Sequence, residues 1–197
     1  SATFLTYNAN MRNLVYDKMK SVETIVFKKF TRDMDKMEYH KIVRAASRRA
    51  EILYEFGENE VEFDNIEDPL PFDLEADVIV IGDRDYALWY RDMTEDEPKY
   101  FDKTVEFTGR SLLGGGLKDD EFVIGRHIMT CCADDIQYSG IACKWRNAET
   151  LKTYKWVEVT GRITIEKHKV YEAPGPVIKV TSVIPAAPPE EQVATFS

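Results

Sequence analysis

One short segment of the chain carries most of the side chains that could bind a metal ion. Residues 125–135 read GRHIMTCCADD. The candidate ligands are an imidazole, two adjacent thiols and two carboxylates, which belong to His127, Cys131, Cys132, Asp134 and Asp135. Thiolate, imidazole and carboxylate groups are ligands of zinc and other borderline metals. The composition of this segment therefore predicts a metal site, with zinc as the first candidate.

The spacing of these residues restricts how such a site could form. Neighbouring residues of a strand point to opposite faces, so Cys131 and Cys132 diverge in a regular strand. His127 and Cys131 share a face, but at about 3.3 Å per residue they lie roughly 13 Å apart. A shared ion therefore requires the chain to turn at the two cysteines, which would bring Asp134 or Asp135 beside a thiolate. The alternative is that the cysteines are buried structural thiols near a strand end.

Other chemistries have less support in the sequence. A nucleophile pair of either cysteine with His127 or His168 is conceivable, but nothing nearby indicates an oxyanion hole or a low-pKa thiol. The run Gly114-Gly115-Gly116 lacks the Lys-Ser/Thr that follows in a phosphate-binding loop, so it predicts a turn. Because the chain has no Walker A motif, we expect it to have no self-sufficient nucleotide site.

Composition and charge limit the partners and the compartment. The 197 residues include 26 Lys and Arg against 35 Asp and Glu, for a net charge of −9. Nucleic acids bind clustered basic residues that displace counterions, so no nucleic-acid partner is expected. No apolar run has the length of a membrane span, and three cysteines, two of them adjacent, do not make a disulfide framework. We therefore expect a reducing compartment, the cytoplasm.

Apolar periodicity predicts a small α/β segment over residues 1–66. A helix at residues 11–19 precedes a strand at residues 24–27, and a second helix follows with Asp35 as its N-cap. Another strand at residues 52–54 completes a strand-helix-strand unit. Its two strands are expected to be parallel, since the connection between them is a helical crossover.

Residues 67–102 are interpreted as an acidic linker followed by a helix that packs on the next domain. The irregular acidic stretch begins at residue 57 and ends before a short strand at residues 78–81. Asp83 is the expected N-cap of the helix. An aromatic stripe at positions i, i+3, i+4 and i+7 is formed by Tyr86, Trp89, Tyr90 and Met93. Such a stripe indicates packing more often than a ligand platform.

The pattern of residues 103–185 predicts an antiparallel barrel of the OB type. Five strands are expected, at residues 104–112, 122–132, 139–145, 154–167 and 177–184. The hexapeptide VEFTGR in the first recurs as VEVTGR in the fourth, and a glycine inside a strand marks a bulge or a barrel corner. These bends fit a five-stranded OB-like barrel, although an unrelated meander stays open. The expected fold class is α+β, with an extended tail at residues 186–197.

Residues 125–135 and the ending Val193-Ala194-Thr195-Phe196 resemble the C-terminal domain of the YcgQ-like family. The resemblance covers about residues 70–197, and its most specific part is Gly-Arg-x-x-x-x-Cys-Cys-x-Asp-Asp. It implies an OB-like barrel from an uncharacterised family, in which the domain often follows membrane helices and is associated with a permease. A membrane permease is therefore an implied partner, and the parent protein would be membrane-associated.

Four stretches of the first 65 residues carry a second resemblance: Thr3-Phe4, Asn10-Met11-Arg12, residues 24–27 and residues 44–54. They are similar to the second half of a CobW-type P-loop GTPase, a family linked to delivery of zinc or other metals. Some members carry a YcgQ-like domain at the C-terminus. The Walker A half is absent here, and Lys28-Lys29 stand where the family has its guanine-recognising Asn. The resemblance therefore implies a GTPase partner and no GTP hydrolysis by this chain.

Two functions follow from these observations. In the first, the chain is a non-catalytic metal-homeostasis module that binds or transfers zinc through Cys131 and Cys132, aided by His127, Asp134 or Asp135. In the second, the barrel is a protein-interaction domain that contacts a permease or partner subunit, and its cysteines are structural. Exposed, reactive thiols favour the first function, and buried, inert thiols favour the second. A thiol-redox role ranks third, and pairing of two chains as a homodimer stays open.

Overall fold

The computed structural model of the chain describes residues 6–57, 60–130 and 132–196. These residues divide into two compact units. One contains the residues before Leu70 together with Thr130–Asp135, and the other contains Leu70–Met129 and the residues from Ile136 onward. Within the described ranges, every helix is too short or too polar to span a bilayer.

The first unit is built on a three-stranded sheet. Its elements are α1 (Ala9–Met19), β1 (Thr24–Phe27), α2 (Lys36–Ala46), β2 (Glu51–Phe56) and β3 (Glu60–Phe63). β1 and β2 run parallel, as predicted. Asp35 accepts a hydrogen bond from the backbone N–H of Met37 and begins α2, which confirms it as the N-cap.

β3 lies where the sequence indicated a linker, and it pairs antiparallel with β2. The linker prediction was wrong because both apolar side chains of β3, Val61 and Phe63, remain more than half exposed, at 52% and 56%. A strand without a buried face has too weak an apolar alternation to be recognised among acidic residues. The core of the unit lies on the other face, where the Tyr39 ring packs edge-on against Phe27 and Phe30, with centroids 4.9 and 5.1 Å away.

The second unit contains five long strands that close a barrel. Its elements are β4 (Ile79–Val80), α3 (Tyr86–Glu95), α4 (Glu97–Tyr100), β5 (Thr104–Leu112), β6 (Glu121–Ile128), β7 (Gln137–Lys144), β8 (Trp156–Glu166), β9 (Gly175–Pro185) and β10 (Val193–Ala194). The barrel order is β5-β6-β7-β9-β8-β5, in which only β7 and β9 are parallel. The predicted five-stranded barrel and α+β class are confirmed, and the strand order fits an OB-like barrel.

The repeated hexapeptides lie on neighbouring strands, with Val105 of β5 opposite Gly161 of β8. The register between β8 and β9 shifts at Gly161, so the predicted bulge occurs there. Both glycines also allow a close approach, because a Cβ atom would lie 2.8 Å from Cγ1 of Ile124 at Gly109 and 2.6 Å from Cγ2 of Ile178 at Gly161. Gly161 therefore combines a bulge with a close approach, whereas Gly109 provides the close approach.

The barrel wall is incomplete between β5 and β6. These strands pair only where Arg110–Leu112 face Val123–Gly125. Beyond this stretch, β4 pairs in parallel with β5, and β10 pairs in parallel with the end of β6 at His127 and Ile128. The tail predicted to be merely extended therefore contributes a short strand to the sheet.

The aromatic stripe of α3 packs on the barrel, as predicted. Tyr86, Trp89 and Met93 are at most 1% exposed, and the Trp89 ring centroid lies 4.7 Å from that of Phe107. The predicted N-cap was wrong, however. α3 begins at Tyr86 after Asp85, which makes no side-chain capping bond. Asp83 instead faces a buried arginine, described below.

Candidate functional site

The segment with the predicted ligands is a turn. β6 ends at Ile128, four residues earlier than expected from the sequence, and one turn of 3₁₀-helix follows at Ala133–Asp135. The backbone N–H of Thr130 donates to Oδ1 of Asp135 at 2.9 Å, and the N–H of Asp135 donates to the carbonyl of Cys132 at 3.1 Å. A local side-chain bond of this kind competes with a strand ladder and ends it. The described residues on either side of Cys131 thus leave the line of the strand.

The predicted ligands are divided between the two units. Cys132, Asp134 and Asp135 belong to the first unit, whereas His127 lies on β6 of the barrel. Cys132 is a free, half-buried thiol and Asp134 is exposed. The ring of His127 packs edge-on against Tyr138, its partner in the β6–β7 register, with centroids 5.6 Å apart.

Cys131 lies outside the described residues. Among those that the structure describes, no group of three or more His, Cys, Asp and Glu side chains is placed to hold a metal ion. The full ligand set, which requires both cysteines, therefore stays a prediction.

The third cysteine, Cys143, is a structural thiol. It is fully buried in β7, and burial raises its pKa far above the usual range, so the sulfur stays protonated and unreactive. His168, a candidate for a nucleophile pair, is also buried, with Nε2 lying 3.5 Å from Oε2 of Glu121. Within the described residues, the charged partner of His168 is thus the carboxylate of Glu121.

The sequence interpretation missed the role of Arg126, which lies within the ligand-rich segment. This side chain is 1% exposed. Its Nη1 donates to the carbonyl of Asp83 at 2.7 Å, and its Nη2 donates to the carbonyl of Glu191. Burial lowers the arginine pKa, and the nearby Asp83 carboxylate opposes that effect. Arg126 therefore joins β6 to the turn before α3 and to the C-terminal tail. In the sequence, the signal for this role was the position of an arginine within an apolar strand.

Two facing glycines of β6 and β7 allow close packing around Tyr138 and Ser139. Gly125 and Gly140 face each other across β6 and β7. A Cβ atom on Gly140 would lie 2.8 Å from Cε1 of Tyr138, and one on Gly125 would lie 2.2 Å from the carbonyl oxygen of Ser139. The Tyr138 hydroxyl donates to the carbonyl of Arg110 on β5 at 2.8 Å. The Gly-Arg pair of the ligand-rich segment is thus explained by barrel packing.

The first unit contains a buried polar cluster that the sequence did not predict. Nδ1 of His40 on α2 lies 2.6 Å from Oδ2 of Asp64, and both side chains are at most 4% exposed. Nε2 of His40 faces Asp68 at 4.0 Å, and Asp68 also pairs with Arg48. These contacts fix the chain after β3 to α2, so the cluster has a structural explanation.

The barrel unit also contains a cleft, with a volume of about 360 Å³. Its walls come from α3 and α4, from β7 and from the loop that joins β8 to β9. The lining residues that matter chemically are Tyr90, Glu97, Val170, Tyr171 and Glu172. This cleft was not predicted, because no local motif marks residues brought together by the fold.

Comparisons with known proteins identify the barrel but not its function. The family model for the DUF1980 C-terminal domain matches residues 59–194. No curated protein matches the chain.

Three solved structures show low similarity, with less than half of this chain covered. They are an aspartyl tRNA synthetase from Entamoeba histolytica (13% identity, TM-score 0.29, 44% of this chain and 19% of that chain) and two bacterial proteins. One of these is a small single-stranded DNA-binding protein from Streptomyces coelicolor, with 10% identity, a TM-score of 0.30, and coverage of 43% of this chain and 93% of that chain. The other is the second single-stranded DNA-binding protein of Mycobacterium smegmatis, with 17% identity, a TM-score of 0.26, and coverage of 42% of this chain and 84% of that chain. The chain spans about a fifth of the synthetase. With TM-scores this low, no function is inferred from these structures.

Proposed function

This chain belongs to the DUF1980 C-terminal domain family, and we propose that it is a non-catalytic metal-homeostasis module that binds or transfers zinc. The observation that carries the proposal is the turn at Thr130–Asp135. In a regular strand the vicinal cysteines would point apart, whereas in this turn Asp135 folds back onto the N–H of Thr130. This hydrogen bond supports the proposal, because the spacing argument requires the chain to turn in this segment.

The donors of this segment suit zinc. Cys131 and Cys132 would supply two thiolates and Asp134 an exposed carboxylate, and four-coordinate zinc accepts this mixture. Asp135 already accepts a backbone hydrogen bond, which orients its carboxylate. In this proposal zinc would be carried as cargo.

The two sequence resemblances support the same function. The CobW-type resemblance of the first 65 residues would link the chain to metal delivery, and the YcgQ-like resemblance includes the two cysteines. A GTPase partner would supply the nucleotide-dependent step that this chain lacks.

The test is the zinc affinity of the reduced protein, purified without oxygen and titrated against a chromophoric chelator. We expect one tightly bound zinc ion per chain, and its loss in the double variant Cys131→Ser, Cys132→Ser. The matched control is Cys143→Ala, which removes a buried thiol elsewhere and should keep the binding. Equal zinc affinity in the double variant, or no binding by the unaltered chain, would rule the proposal out.

A second measurement checks that thiolates are the ligands. Zinc binding to thiols releases protons, so the apparent affinity should fall steeply as the pH is lowered below 7. Binding through carboxylates alone would lose affinity only near the carboxylate pKa, about 4. The pH profile therefore separates the thiol site from adventitious binding by surface acids.

A second candidate function, a protein-interaction domain that contacts a permease or partner subunit, is supported by the cleft beside α3. A photo-crosslinking residue at position 170, in the cleft wall, would test it in cells that produce the permease. The control carries the same residue at position 184, where Ile184 is similarly exposed on β9. Cross-links to the permease from position 170 alone would support the function, and equal or absent cross-links would contradict it.

A further inference from the structure

The cleft of the barrel unit is built before any partner arrives. The hydroxyl of Tyr171 donates to the carbonyl of Pro176 at 2.7 Å and accepts from the N–H of Ala142 on β7 at 3.0 Å. These two bonds fix the loop between β8 and β9 against the barrel. A Cβ atom on Gly175 would come within 3.0 Å of the Tyr171 ring, so the loop also packs closely on that ring. A volume of about 360 Å³ lies at the small end of the range for ligand pockets.

The charges that line the cleft are all negative. Glu97 and Glu172 contribute carboxylates, and no Lys, Arg or His belongs to the lining. Glu97 is half-buried, and within the described part of the chain its carboxylate forms no hydrogen bond or ion pair. Burial alone raises its pKa. A carboxylate that is partly desolvated and unpaired is strongly stabilised by an ion pair with an external cation.

The nearby cations of the same helices are committed to other groups. Lys99 of α4 pairs with Asp92 at 2.6 Å. Arg91 of α3 lies 3.9 Å from Glu95 and its guanidinium lies 5.6 Å from the Phe196 ring centroid. Neither is available to neutralise Glu97 without giving up an existing contact.

The remaining walls suit the rest of a long basic side chain. Val170, Ala173, Pro174 and Pro176 provide apolar surface, along which the methylene groups of lysine or arginine can pack. The ring of Tyr90 also lines the cleft. An aromatic ring and a carboxylate together are a favourable environment for a guanidinium or ammonium group.

We propose that this cleft binds a lysine or arginine side chain of a partner protein, with Glu97 as its ion-pair partner and Tyr90 as its aromatic wall. The proposal deepens the interaction function by naming the chemistry of the partner, and it is independent of the zinc site. It rests on charge complementarity, since the cleft offers unpaired carboxylates and an apolar channel of side-chain size.

The test uses small probes with the full chain. Acetyl-arginine methylamide and acetyl-lysine methylamide are titrated into ¹⁵N-labelled protein at millimolar concentrations, and amide shifts are followed by NMR. We expect saturable shifts at residues 90–97 and 170–176. The citrulline analogue, which has the same shape without the charge, should produce none. Glu97→Gln should raise the probe Kd about tenfold, as expected for loss of a charge-assisted contact. Glu149→Gln, which removes an exposed acid outside the cleft lining, should leave the Kd unchanged.

Three results would overturn the cleft assignment: no saturable shifts, equal shifts with citrulline, or an unchanged Kd in Glu97→Gln. Tyr90→Leu gives an independent check, because it keeps an apolar side chain while removing the aromatic face, and it should also weaken binding. Tighter binding of a free polyamine than of both amino-acid probes would contradict a protein partner. If the probes fail while position 170 still cross-links to a permease, only the cleft chemistry is wrong, and the interaction function survives.

Discussion

The guanidinium of Arg126 donates a 2.7 Å hydrogen bond to the backbone carbonyl of Asp83, although the two residues lie on separate elements of the barrel unit. The same side chain also bonds the carbonyl of Glu191 in the tail. An arginine that is 1% exposed and satisfies two carbonyls from distant segments holds these segments together.

Arg126→Ala should therefore destabilise the barrel unit by about 2–4 kcal/mol, since two carbonyls lose a charged donor and a buried space is left. Urea unfolding gives the stability, and hydrogen exchange should show faster exchange in residues 190–196. Arg162→Ala is the control, because Arg162 forms an exposed pair with Asp102 and should change stability by less than about 1 kcal/mol. Unchanged exchange in the tail would show that Arg126 does not hold it.

Glu166 links acid stability to a specific ion pair. Lys144 and Lys179 lie 2.7 and 2.5 Å from its carboxylate and lower its pKa to about 2. Because the folded pKa lies below the unfolded value, the stabilisation is fully present above about pH 4.5 and is lost as the pH falls towards 2. Glu166→Gln should cost about 1 kcal/mol at pH 7, after allowance for solvent screening, and progressively less as the pH falls through about 2. Urea titrations of both proteins at several pH values measure the difference. A constant difference across that range would exclude the ion pair as its cause.

Cys143 should be invisible to thiol reagents in the native protein. Its burial raises the thiol pKa, so the reactive thiolate is scarce as well as inaccessible. Titration with a chromogenic disulfide should reach one more thiol after unfolding than before it, and Cys143→Ala should abolish that increment. Rapid modification of Cys143 in the folded protein would mean that β7 opens locally.

Alanine should reduce the stability much more at Gly125, in the glycine pair of β6 and β7, than at Gly114, which lies between β5 and β6. Gly125→Ala should cost at least about 3 kcal/mol, because its Cβ would meet the carbonyl oxygen of Ser139 at 2.2 Å. Gly114→Ala has open space and a φ of +88°, so only backbone strain, about 1 kcal/mol, should appear. Chemical denaturation of both variants compares them. Equal losses would contradict the close packing at Gly125.

Local sequence patterns correctly predicted those elements that depend on residues close together in the sequence. β5 spans residues 104–112 as expected, β1 spans residues 24–27, and Asp35 caps α2. The side chain of Asp83 had a competing partner that no local rule reveals. An N-cap was expected there, and a buried guanidinium from a strand distant in sequence faces it instead.

The candidate site was predictable in its residue types and less so in its geometry. The ligand-rich segment was recognised, but β6 was extended to residue 132 because apolar and small residues continue past Ile128. The bond from Thr130 to Asp135 that ends the strand depends on a side chain five residues away. The cleft at Tyr90 and Glu97 joins distant stretches, so only the folded chain brings its charges together.

The incomplete wall between β5 and β6 has a consequence for synthesis of the protein. β4 and β10 border this opening, yet one precedes the barrel strands and the other follows them all. While the chain emerges from the ribosome, the end of β6 keeps unpaired backbone groups until residues 193–194 have been made. An edge of this kind can pair with the wrong strand. The nascent barrel is therefore most vulnerable to aggregation in the interval before its last strand arrives.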